Sequence, residues 1–149
     1  MKKNKINKIV FFWFLFISGK AYGDYCFDLV AEKYYLSKEI LMAISLVESN
    51  MDNNAINTNN SDGSKDICHM QINSQWFHLF SPEALLKDPC YCTAVGAWLL
   101  RDCMTRYGDS WRAVACYNTG GGLERRSSQG QKYIRKVKEK YMHITMGEY

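Results

Sequence analysis

No apolar run in this 149-residue chain is long enough to cross a bilayer. The longest, Ile9 to Ile17, has nine residues, against roughly 20 for a spanning helix. Four lysines (Lys2, Lys3, Lys5, Lys8) precede it and Ala21-Tyr22-Gly23 follows it. Residues 1–23 therefore read as a Sec-type signal peptide, and residues 24–149 as the single domain left after cleavage. The domain also lacks a charge excess. Five of the 19 basic residues and none of the 15 acidic ones leave with the signal, so 14 face 15. That near-balance gives no reason to expect a nucleic-acid partner. One basic cluster persists, from Arg125 to Lys140, which is ordinarily a solvated helix face. No Gly-x-Ser-x-Gly is present, which leaves a serine hydrolase without its nucleophile turn. There is no Cys-x-x-Cys either, so a zinc site built on Cys68 and His69 lacks its usual ligand spacing. No metal or other cofactor is expected.

Six cysteines are present: Cys26, Cys68, Cys90, Cys92, Cys103 and Cys116. An even count behind a signal peptide implies disulfides formed in an oxidising compartment. Six cysteines allow 15 pairings. If Cys92 and Cys103 share a helix they are about 16 Å apart and cannot bridge, which removes three pairings and leaves the rest open.

Helical spacing dominates the domain. Cys26–Leu36 has apolar residues on one face, and Ser37 is a good cap for a helix over Lys38–Ser49. Asn50–Ser64 is rich in Asn, Asp and Ser and reads as loop. Asp66–Asn73 alternates weakly, as a short strand would. Short helical turns are expected at Ser74–Phe80 and Pro82–Leu86, then a long helix over Cys90–Tyr107 ended by Gly108. Ser110 is placed to cap Trp111–Tyr117, which stops at the glycines beginning with Gly120, and Gln129–His143 forms a last, basic helix. The fold class is mostly α (α+β), with a small β element and no repeats.

Two carboxylates carry candidate chemistry. Glu48 closes an apolar helix where it meets a polar loop, an environment that raises a carboxyl pKa and suits a general acid. Asp66 lies 18 residues on in a polar run, where its carboxylate would be solvated. One apolar-flanked and one solvated carboxyl is the split that the handling of glycosidic bonds by lysozyme requires.

Glu48-Ser49, Asp66–Asn73 (DICHMQIN) and Ala113–Gly120 (AVACYNTG), with Asp88-Pro89-Cys90 and Gly96-Ala97-Trp98, occur together and in this order. Their arrangement resembles the soluble lytic transglycosylase domain of the lysozyme superfamily, and within it the small enzymes of type III and type IV secretion systems. The resemblance covers Cys26 to Tyr141. It implies a lysozyme-like fold, peptidoglycan as substrate, a periplasmic location, and a secretion-system component such as an inner rod protein as partner. It implies Glu48 as acid/base, with Ser49, Met70, Gln71, Asn73, Tyr117 and Asn118 around the glycan. It further implies a Cys26–Cys90 bridge, the pairing of Cys68, Cys92, Cys103 and Cys116 remaining open. The family's Gly-Leu before Met-Gln is Cys68-His69 here, and Cys116 departs from an alanine, so Cys68 and Cys116 are expected near one another. His69 is expected to pack or hydrogen-bond rather than react. Asp66 gives the site a second, lysozyme-like carboxylate.

The implied reaction cuts the β-1,4 bond between N-acetylmuramic acid and N-acetylglucosamine and closes a 1,6-anhydro ring. A lysozyme-type hydrolase using Asp66 is one alternative. A non-catalytic wall-binding module is the other, although such a module has no use for Glu48, Gln71, Tyr117 and Asn118 together.

Overall fold

The computed structural model describes residues 25–120 and 128–149. The expected signal peptide, Asp24 and the second and third glycines of the Gly120–Gly122 run lie outside the described residues. Six α-helices, one 3₁₀ turn and a small antiparallel sheet make up the described part. They are α1 (Phe27–Tyr34), α2 (Lys38–Ser49), β1 (Ile56–Asn57), β2 (Asp66–Ile67), β3 (Ile72–Asn73), the 3₁₀ turn Ser74–Trp76, α3 (Pro82–Lys87), α4 (Pro89–Tyr107), α5 (Trp111–Thr119) and α6 (Ser128–Thr145). Among the described residues no helix is long and apolar enough to cross a membrane.

The helix that carries Glu48 begins and ends for local reasons. Ser37 Oγ accepts the Ile40 N–H at 3.3 Å, satisfying one of the first-turn donors. At the far end Asn50 (φ 57°) and Met51 (φ 61°) are both left-handed. Their N–H groups return to the carbonyls of Leu46 and Ser45, so the chain turns sharply just after Glu48. The long helix α4 starts on Pro89 with Asp88 accepting the Tyr91 N–H at 3.1 Å. It stops at Gly108, whose φ of 70° favours glycine.

The core lies where α2, α4 and α6 meet the turn between β2 and β3: Leu41, Ile44, Met70, Ile72, Leu100 and Val137 are all fully buried. Burying a side chain of this kind contributes about 1.5–3 kcal/mol. Helix α6 packs against α2 and α5, closing the side of the fold on which Glu48 sits.

Two expectations are corrected, and a third in part. The Asn50–Ser64 loop contains a strand: Ile56 pairs with Ile67 and Asn57 with Asp66. The strand expected over Asp66–Asn73 is two strands around a turn, with Asp66 paired to Asn73 and Ile67 to Ile72. Two-residue strands are too short to give an alternating pattern of their own, so the sequence marked β2 and β3 only as one weakly alternating segment and left β1 unmarked. Ser110 is the N-cap residue of α5, as expected, but its side chain makes no capping hydrogen bond; its hydroxyl donates instead to the Tyr107 carbonyl at 2.9 Å.

Three disulfides tie these elements together: Cys26–Cys90, Cys68–Cys92 and Cys103–Cys116. The first two fasten the start of α4 to α1 and to the β2–β3 turn, and the third joins α4 to α5. Cys68 and Cys116, expected as neighbours, bond to different partners on the same long helix.

Candidate active site

A cleft of about 590 Å³ runs between the small sheet and the ends of α4 and α5. Glu48, Asp66, Gln71, Asn73, Tyr117 and Asn118 line it, together with Trp76, Leu99, Arg106 and Thr119. Six of the eight residues singled out from the sequence thus share one surface. Ser49 and Met70 do not. Met70 is fully buried beneath the cleft, and Ser49 Oγ donates to the His69 carbonyl at 2.9 Å while accepting the Asp52 N–H at 3.0 Å. Both support the wall from behind.

Glu48 projects from the last turn of α2. Burial pushes its carboxyl up to about 7, a hydrogen bond from Tyr133 opposes the rise, the Asp66 charge adds to it, and Lys136 opposes it. Tyr133 Oη donates to Glu48 Oε1 at 2.6 Å. Burial, then the Glu48 charge, holds the Tyr133 hydroxyl well above its ordinary pKa, so it remains a proton donor to the carboxyl. A carboxyl poised near neutrality can give a proton and take one back.

Asp66 is built differently. Asn73 Nδ2 donates to Oδ1 at 2.8 Å, while Asn57 and Asn60 donate to Oδ2 at 3.0 and 2.8 Å. Three amide donors converge on one carboxylate and hold its charge at the cleft wall. Asn73 also anchors the 3₁₀ turn, its Oδ1 accepting the Gln75 N–H at 3.0 Å.

The β2–β3 turn adds Gln71 to the lining. Cys68 (φ 59°) and Gln71 (φ 49°) are left-handed, a conformation that costs a non-glycine residue about 1 kcal/mol or more. Three features hold it. Cys68 is bonded to Cys92, Gln71 Nε2 donates to the Cys68 carbonyl at 3.0 Å, and Tyr117 Oη donates to the Met70 carbonyl at 2.8 Å. Tyr117 is thereby fixed between α5 and the turn. Asn118 is exposed at the rim and accepts from Gln129 Nε2 at 3.1 Å.

His69 takes no part in the cleft. It is fully buried, with Nδ1 2.8 Å from Ser45 Oγ and Nε2 3.1 Å from the Pro89 carbonyl. A carbonyl can only accept, so Nε2 carries the proton and Nδ1 accepts from Ser45. Burial drives its pKa down to about 4, which keeps the ring neutral.

Sequence reasoning missed Tyr133, Asn57 and Asn60. Tyr133 shares the buried face of α6 with Ile134 and Val137, and a buried tyrosine hydroxyl needs a partner. That signal was present but pointed to no particular residue. Asn57 and Asn60 were hidden among the other polar residues of their loop.

A small sheet, a helical body and two half-buried carboxyls lining one cleft, one hydrogen-bonded by a tyrosine and the other by three amides, together define a lysozyme-like glycan-cleaving enzyme. Residues 25–141 match the family model "Transglycosylase SLT domain". The chain is 42% identical over 143 residues to "Invasion protein IagB" of Salmonella typhimurium, a match covering 91% of this chain and 86% of that one. It is 34% identical over 146 residues to "Protein IpgF" of Shigella flexneri, covering 93% of each. "X polypeptide" of Escherichia coli is 34% identical over 136 residues, covering 88% of this chain and 79% of that one. The chain belongs to the SLT transglycosylase family: it is a lytic transglycosylase, and its substrate is the glycan strand of peptidoglycan.

Proposed function

We propose that Glu48 is the single acid/base of this enzyme, that it acts on the β-1,4 bond between N-acetylmuramic acid and N-acetylglucosamine, and that the product is a 1,6-anhydro sugar. The supporting observation is the Glu48 carboxyl, held up to about 7 by burial at the cleft floor with Tyr133 as its partner. Protonated Glu48 gives its proton to the glycosidic oxygen as the bond to the anomeric carbon breaks. The muramoyl N-acetyl oxygen takes that bond's place. Glu48, now a carboxylate, removes the proton from the C6 hydroxyl as its oxygen attacks the anomeric carbon and displaces the acetamido oxygen. No water is consumed and Glu48 ends protonated, ready for the next strand.

Asp66, its carboxylate oxygens accepting from three amides, stabilises positive charge at the anomeric carbon. Gln71, Asn73, Tyr117 and Asn118 line the glycan path, and Tyr133 positions Glu48. The presence of a second carboxylate favours one alternative, a hydrolase in which Asp66 orders a water.

The protein acts in the periplasm after export by residues 1–23, opening the wall for a secretion apparatus of which a rod-type component is the partner. The resemblance of the motifs and the printed name "Invasion protein" of one relative support this setting.

Digestion of purified peptidoglycan by the mature protein should release anhydro-ended fragments. Glu48→Gln should reduce that release by about 10²–10⁴-fold while the protein stays folded. A folded Glu48→Gln protein with near-native activity would overturn the assignment, and reducing-end sugars as the main product would favour the hydrolase.

A further inference from the structure

The charge of this domain is divided along the chain. Residues 24–124 carry seven basic and 13 acidic side chains, whereas residues 125–149 carry seven basic and two acidic. Four of those first seven cations are matched locally: Lys38 with Asp28, Lys87 with Glu83, Arg101 with Asp109 and Arg106 with Asp102. Helix α6 is different. Lys132, Arg135 and Lys136 are exposed and, at spacings of three and four residues, share one face. Among the described residues none of the three has an ion-pair partner.

The helix that carries the stripe touches two residues of the cleft lining. Tyr133, between Lys132 and Arg135 in sequence, turns inward to Glu48, and the positive charge of Lys136 reaches the same carboxyl. Gln129, one turn earlier, bonds to Asn118 at the rim. The row itself is not part of the cleft lining; it stands on the exposed side of the helix whose buried side carries Tyr133. Peptidoglycan glycan is itself nearly neutral, but the stem peptides on its muramoyl residues end and branch in carboxylates. Like-signed unpaired charges on a helix face repel one another and gain when an anion lies across them.

We propose that the Lys132–Arg135–Lys136 face of α6 is a binding site for the acidic stem peptides of the wall, holding the enzyme on peptide-bearing strands outside the cleft. This rests on the wall-degrading reading above but is separable from it, because the stripe should grip stems whether or not Glu48 cleaves.

The test compares Glu48→Gln with Glu48→Gln/Lys132→Glu/Arg135→Glu, Lys136 being left in place because its charge reaches Glu48. Binding is measured by co-sedimentation with intact sacculi and with sacculi stripped of stems by an amidase. At about 50 mM salt, where charges still act over more than 10 Å, the charge-reversed protein should bind intact sacculi at least about 10-fold more weakly. The difference should vanish on stripped sacculi and shrink strongly at about 500 mM salt. A neutral pair, Lys132→Gln/Arg135→Gln, should fall between the two, and equal melting temperatures exclude misfolding as the cause. Equal binding of parent and charge-reversed proteins to intact sacculi, or a deficit that persists on stripped sacculi, overturns the proposal. Failure of the wild type to cleave glycan would instead overturn the assignment of Glu48 and leave the stem-dependent binding standing.

Discussion

A carboxyl that gives and retakes a proton must spend comparable time in both states, and Glu48 reaches that condition through opposed neighbours. Burial and the Asp66 charge favour the protonated form, while the Tyr133 hydrogen bond and Lys136 favour the ionised one. Activity that depends on protonated Glu48 should fall as pH rises through about 7. Tyr133→Phe removes a stabiliser of the ionised form, so the alkaline limb of the pH–rate profile should move to higher pH. Asp66→Asn removes a neighbouring negative charge, so the limb should move to lower pH, with turnover cut by about 10–10³-fold. Profiles of kcat/KM against pH for the three proteins check both directions; limbs that coincide would show that Glu48 is not the group being titrated. Asn57 and Asn60 fix the position of the Asp66 carboxylate. Neither was legible as more than loop polarity, because a hydrogen bond across six or nine residues of turn leaves no periodic trace.

At the scale of elements, the β2–β3 turn and α4 depend on one close approach. A Cβ added at Gly96 would lie 2.5 Å from Met70 Cε and 3.0 Å from its Cβ and Cγ. The methyl end of Met70 could swing aside in open space, but the side chain is fully buried and its carbonyl holds Tyr117. Gly96→Ala should therefore cost about 1–3 kcal/mol of stability, and it should reduce activity by displacing the turn that carries Gln71. Thermal melting and peptidoglycan digestion on the same sample test this. Unchanged melting would show that the turn yields easily. The same turn explains a departure from the family pattern. Position 68, where the family has glycine, is left-handed here (φ 59°), and a cysteine is held in that conformation by its bond to Cys92.

For the molecule as a whole, two buried titrating groups oppose each other. With Glu48 raised to about 7, the folded protein binds its proton more readily than the unfolded chain, so stability falls as pH rises from about 4.5 to 7. With His69 lowered to about 4, the folded protein resists protonation, so stability falls as pH drops from about 6.5 to 4. Each contributes at most about 3 kcal/mol, and over the shared window they nearly cancel. Glu48→Gln removes one side. Its melting temperature should match the wild type near pH 4 and exceed it by roughly 5–10 °C at pH 8. A constant difference across that range would contradict the burial of Glu48. The Cys26–Cys90 bridge closes a separation of 64 residues and should contribute about 4 kcal/mol on the chain-entropy model. Cys26→Ser/Cys90→Ser should melt well below the wild type at every pH, which calorimetry would detect.

The sequence by itself determined the helices, the family and the candidate acid, because those are written in local terms: apolar spacing in α2 and α4, a cap at Ser37, and a glutamate where an apolar helix meets a polar loop. Gathering Glu48, Asp66, Gln71, Asn73, Tyr117 and Asn118 onto one cleft was implied by resemblance rather than by any local rule. Only the tertiary structure decided how Cys68, Cys92, Cys103 and Cys116 pair, that Tyr133 from the last helix reaches Glu48, and that Met70 and Ser49 stand behind the wall. Each of these depends on the distance between segments far apart in the chain, set by how helices α2, α4 and α6 pack together, and residue spacing along a sequence does not encode that distance.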